Sequence, residues 1–187
     1  MDRFFAFLGG SAGGWNVTSM TPISGEGMTQ VERINVVSSK APLTQIEETT
    51  TWCLRGVISN ERYVTRSEKV ALVASQPLLG RPEATNAAFI AISKTAEWWG
   101  FTQDERRHIL EETSSHIATG MKYLPAVARR LHHSRDLGEP FDFLTWFEFA
   151  PSESNAFDQL LGELRATEEW KYVNREFDVR LMCEPST

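Results

Sequence analysis

The sequence predicts an α+β fold, and three patterns carry that expectation. Residues 1–85 are rich in β-branched runs bounded by turn residues. Residues 86–187 read as strand, helix, strand, strand, helix, strand, the βαββαβ order of a ferredoxin-like unit. Within that second part, Phe157, Leu160, Leu161 and Leu164 recur at the i, i+3, i+4, i+7 spacing of a half-buried helix.

Taken in order, Gly9-Gly10 and Gly13-Gly14 imply a tight bend beside a strand carrying Trp15 and Val17. Residues 31–37 and 49–58 are the next strands, and Ser59, Asn60 and Glu61 a hairpin turn leading to a return strand at residues 62–65. Gly80-Arg81-Pro82 breaks the pattern, so a truncated β-rich N-terminal half, 1–85, is expected to end just after it, with 86–187 as the second half. Residues 88–93 form the next strand. Thr102 and Glu105 make a capping box that opens a helix running to about Gly120, and Pro125 prevents its continuation. Residues 127–133 and 141–149 alternate with period two across a turn cluster at 136–140. Pro151-Ser152 opens the second helix, Glu168-Glu169-Trp170 ends it, and residues 176–182 form the last strand.

Composition narrows the function. The chain has 187 residues and a net charge of -6, so its surface as a whole repels a phosphate backbone, and nucleic acid is not an expected partner. An anionic substrate therefore needs a local positive site. Two cysteines, Cys53 and Cys183, cannot by themselves hold zinc or an iron–sulfur cluster. No C-x-x-C-H run is present, which excludes a covalently attached c-type haem. The apolar run at residues 4–8 is too short for a signal-peptide core and no stretch approaches a membrane span, so cytoplasmic residence is expected.

Four histidines are available. His108 sits among Arg106, Arg107 and Glu111 and reads as a solvated helix face; His132 and His133 fall on opposite faces of a strand. His116 shares one helix side with Ile109, Thr113 and Gly120, where the glycine leaves room for a flat cofactor. A structural histidine fits the same spacing. On the strand at 127–133, alternation puts Val127, Arg129, Leu131 and His133 on one face, making Arg129 the inward arginine. A buried guanidinium needs a carboxylate, a bound anion or a polar cavity. Glu168 or Glu169 could accept the ring N–H of a metal-bound histidine or simply end a helix in solvent. Trp98-Trp99 suits the wall of an aromatic cofactor, or an ordinary core.

The segment from His116 through Gly138, continuing through residues 141–149 and 167–173, resembles the haem-binding region of the chlorite dismutases. Phe7-Leu8-Gly9-Gly10 with Gly13-Gly14-Trp15 is similar to the same family, and the likeness covers most of the chain. The resemblance implies ferredoxin-like units forming a dimeric α+β barrel, non-covalent haem b, and conversion of chlorite to chloride and dioxygen. It also implies that His116 is the axial iron ligand and Arg129 the distal arginine. Glu169 matches the carboxylate behind the histidine, Gln76 a glutamine near the arginine, and Trp98 and Trp99 a tryptophan pair at the haem edge. The short chain is similar to the compact, homodimeric branch. A coproheme decarboxylase or a haem carrier or sensor of the same superfamily is the alternative; the decarboxylases generally lack the distal arginine.

Overall fold

The computed structural model describes residues 2–42, 48–58 and 62–183. Eight strands close into one barrel. They are β1 (Phe4–Gly10), β2 (Trp15–Ser24), β3 (Arg33–Ser39), β4 (Thr50–Val57), β5 (Asn86–Lys94), β6 (Ala128–His133), β7 (Phe143–Phe149) and β8 (Val173–Cys183), in the ring order β1-β3-β2-β8-β5-β7-β6-β4. All pairs are antiparallel. Numbered within its own group, each set of four strands runs fourth, first, third, second, the ferredoxin-like order. The second set has helices at both crossovers, whereas in the first a short bend joins β1 to β2, where Gly13 has φ +150°, and no helix lies between β3 and β4 among the described residues. A Cβ there would lie 2.5 Å from the Ile34 backbone, so only glycine allows so close a crossing of β3.

Alternation along the strands builds two cores. Phe5, Phe7, Phe89, Trp146, Phe177 and Val179 fill the barrel. On the outer face of the second sheet, Ala88, Ile90, Phe147 and Phe149 meet the stripe of α5 (Ser154–Arg165), in which Phe157, Leu160, Leu161 and Leu164 are all buried. Each such side chain contributes ~2 kcal/mol on burial, which explains why α5 seats firmly on the sheet. β6 shows both faces at once. The His132 ring packs inside the barrel against Phe5 and Phe7, while Arg129 reaches out to the helices.

Three expectations change. The turn expected at Ser59, Asn60 and Glu61 lies outside the described residues, and no return strand follows it. Instead Thr65 caps helix α1 (Arg66–Ser75), its hydroxyl accepting from the Glu68 N–H while the Glu68 carboxylate accepts from the Thr65 N–H. The helix expected from Thr102 to Gly120 is broken. A short α2 (Ala96–Gly100) precedes it, then α3 (Gln103–Arg107), a π-helical turn over His108–Thr113, and α4 (His116–Lys122) after a left-handed Ser115 at φ 53°. Finally, α5 ends at Arg165, and Glu169 opens a separate 3-10 turn, Glu169–Tyr172.

Candidate haem site

His116 is the first residue of α4, so its position is set by the broken joint before it. Its Nδ1 lies 2.6 Å from Glu169 Oε2. Glu169 is 2% exposed, and its other oxygen accepts a 2.6 Å bond from Lys94 Nζ. The Glu169 backbone N–H donates to Ser114 Oγ at 2.9 Å, tying the 3-10 turn to the joint. Burial by itself would raise the Glu169 carboxyl, but the neighbouring His116 and Lys94 charges and hydrogen bonds overcome it and hold the pKa at about 2. An ionised Glu169 can only accept at Nδ1, which leaves Nε2 as the ring nitrogen available to a metal. Among the described residues Nε2 has no hydrogen-bond partner, and the His116 side chain is 33% exposed.

Lys94 was not foreseen from the sequence. It ends β5, and burial lowers its pKa while Glu169 opposes that shift. Its ammonium lies 4.5 Å from the centre of the Trp98 ring. The only signal available was an apolar strand ending in a lysine, which by itself reads as a solvated end.

Arg129 leaves β6 toward α4, where Nη1 donates to the Gly120 carbonyl at 3.0 Å. Gly120 is four residues along α4 from His116, ~6 Å of helix rise. No carboxylate among the described residues lies within ion-pair distance of Arg129. Burial brings its pKa down to about 10, so the guanidinium stays cationic at neutral pH without a counterion. Gln76, at the end of α1, donates from Nε2 to the Arg129 backbone carbonyl at 2.7 Å rather than to the guanidinium.

The tryptophan pair takes two environments. Trp98 is 1% exposed, and its Nε1 is buried without a partner among the described residues. Trp99 donates from Nε1 to Asp142 Oδ2 at 3.0 Å, with the Arg135 guanidinium 4.1 Å from its ring centre. His108 is solvated, paired at 2.7 Å with Glu112. Cys53 and Cys183 are half-buried, and among the described residues no group of three metal-ligating side chains forms.

The donor set suits a metal that brings most of its own ligands. One imidazole is backed by a buried carboxylate and open at Nε2, the arrangement that orients and strengthens a metal-ligating histidine. Among the described residues no cluster of three or more His, Cys, Asp or Glu side chains adds to it. The uncompensated guanidinium adds a fixed positive charge for a small anion.

Comparison with known proteins bears on the family. The sequence profile of the family described as chlorite dismutase matches residues 20–184. The chain is 51% identical, with a TM-score of 0.88, to the crystal structure of a dimeric chlorite dismutase from Nitrobacter winogradskyi, covering 96% of this chain and 99% of that one. A mutant chlorite dismutase from Candidatus Nitrospira defluvii, at 18% identity and TM-score 0.69, shares the fold over 98% of this chain and 93% of its own. A chlorite dismutase from Ideonella dechloratans is 35% identical over 86 residues, which is 46% of this chain and only 28% of that relative's length. The chain belongs to the chlorite dismutase family.

Proposed function

We propose that this protein is a haem b-dependent chlorite dismutase that converts chlorite to chloride and dioxygen. The observation that carries the reading is the pairing of a carboxylate-backed imidazole, His116 on Glu169, with the uncompensated Arg129 guanidinium bonded to the carbonyl of Gly120, four residues along the same helix. When bound, haem would supply an iron centre suited to oxygen-atom transfer with chlorite. His116 Nε2 would hold that iron, and Glu169, by accepting the Nδ1 proton, makes the imidazole a stronger donor. Trp98 and Trp99 would border the haem edge.

Arg129 has the anion work. Its N–H groups form charge-assisted hydrogen bonds to chlorite oxygen, then to the hypochlorite left after oxygen transfer, and keep that anion in place until the O–O bond forms. Gln76, bonded to the Arg129 carbonyl, steadies the strand from which the guanidinium extends. No step requires a side chain to deliver a proton. Residues 1–85 and 86–187 act as two halves of one barrel, the second carrying His116, Arg129 and Glu169. The relative of 51% identity is described as dimeric, which supports a homodimer here. No described helix is long and apolar enough to cross a membrane, and we place the protein in the cytoplasm.

An oxygen electrode tests the reading. Haem-loaded protein given chlorite should evolve dioxygen, and Arg129→Ala should slow this roughly tenfold or more while a hypochlorite trap reports more leakage. Turnover and trapping unchanged by the substitution would remove Arg129 from the mechanism. Haem uptake without dioxygen evolution would favour a carrier or sensor.

A further inference from the structure

We infer that Glu111 is a positioning residue that aims the His116 imidazole by capping the helix it starts. The role rests on the reading of His116 as the haem ligand. The argument begins with backbone groups. A helix leaves its first N–H donors without internal partners, and Ser115, at the N-cap of α4, makes no side-chain bond to them. Glu111 supplies the missing acceptor from the preceding π-helical turn. Its Oε2 accepts the Ile117 N–H at 2.6 Å, and its Oε1 accepts the Ala118 N–H at 3.2 Å. Its backbone carbonyl also accepts the Ser115 N–H at 2.8 Å.

One residue thus grips the chain on both sides of His116. The joint needs it. Ser115 stands at φ 53°, where a side chain is disfavoured, so the turn holding His116 carries a backbone cost that its neighbours must offset. A negative charge at the helix start also interacts favourably with its dipole. The imidazole has little tolerance for displacement, because its 2.6 Å contact with Glu169 is directional and Glu169 is fixed by Lys94 and Ser114. Fraying of the first turn would swing His116 away from Glu169 and from any metal on Nε2.

The test compares Glu111→Ala and Glu111→Gln, with Thr65→Ala as a control that removes a helix cap elsewhere. In the haem-loaded protein, Glu111→Ala should shift the iron–histidine stretching band in the ferrous resonance Raman spectrum and speed haem transfer to apomyoglobin roughly tenfold. Glu111→Gln keeps a carbonyl oxygen for one of the two N–H groups and should restore most of both signals. Thr65→Ala should lower Tm yet leave both unchanged. In cofactor-free, nitrogen-15-labelled protein, the hydrogen-bonded His116 Nδ1 proton should be sharp in the wild type and in Glu111→Gln, and lost in Glu111→Ala. A Glu111→Ala protein with the wild-type proton signal and, when loaded, the wild-type band overturns the positioning role. Should the wild-type chain take up no haem, the haem reading falls, and the Nδ1 proton alone decides for or against Glu111.

Discussion

Gly120 stands where one added methyl group reaches the proposed anion site. A Cβ there would sit 2.6 Å from Arg129 Nη2, so the guanidinium must move, and being the end of a long side chain it can. Alanine is the better helix residue by roughly 1 kcal/mol, so Gly120→Ala should hold or raise Tm. Its chlorite turnover should nevertheless fall severalfold. Melting curves and dioxygen traces check the two halves of this prediction, and unchanged turnover would show that the guanidinium's place does not matter. Strand alternation puts Arg129 and Arg130 on opposite faces of β6, and they do leave opposite faces. The expected inward arginine is not the one inside the barrel, however: Arg130 stands with His132 and Phe5 on the barrel side, while Arg129 turns to the helices beside an exposed Leu131. The helix phase used for His116 was weaker. It ran through Ile109 and Thr113, and the joint at Ser115 cuts that register; what survives is His116 and Gly120 within α4.

At the scale of elements, capping explains both what was foreseen and what was missed. The Thr102 and Glu105 box starts α3 as expected, with the Thr102 N–H bonded to Glu105 at 2.7 Å. The equivalent box at Thr65 and Glu68 went unread because a hairpin explained the same polar residues. Its helix buries none of its residues, so no apolar stripe announced it. α1 is held instead by its cap, by the ion pair of Glu68 with Arg107 at 2.7 Å, and by Gln76 on Arg129. Thr65→Ala should therefore cost about 1 kcal/mol in urea unfolding. A loss below a few tenths of a kcal/mol would mean that α1 forms without its cap. The stripe of α5 was legible because apolar spacing is set by burial; the break after Thr113 was not, because it depends on a left-handed serine and on contacts distant in sequence.

For the whole molecule, closing two four-stranded sets into one barrel buries two imidazoles on β6. His132 is 1% exposed and His133 8%. Burial, together with Arg130 and His133 beside His132 and Arg62 beside His133, lowers both pKa values from the ordinary 6.5 to about 4. Between pH 6.5 and 4 the unfolded chain binds protons that the folded protein refuses. Stability is therefore complete above pH 6.5 and declines through that window, by at most ~1.4 kcal/mol per pH unit for each ring. His132→Phe should flatten the fall in Tm between pH 6.5 and 4.5, whereas slopes identical to the wild type would show that His132 already takes up a proton in the fold. The two matching strand orders could not be seen residue by residue in the sequence, since backbone pairing sets them and the side chains of the two sets differ.

The central claim, iron held through His116, is tested most directly by titrating haem into purified protein and recording the Soret band beside that of His116→Ala. The account predicts a saturable histidine-ligated band in the wild type and, in the variant, a shifted band of weaker affinity that added imidazole moves back. Identical spectra and affinities for the two proteins would contradict it.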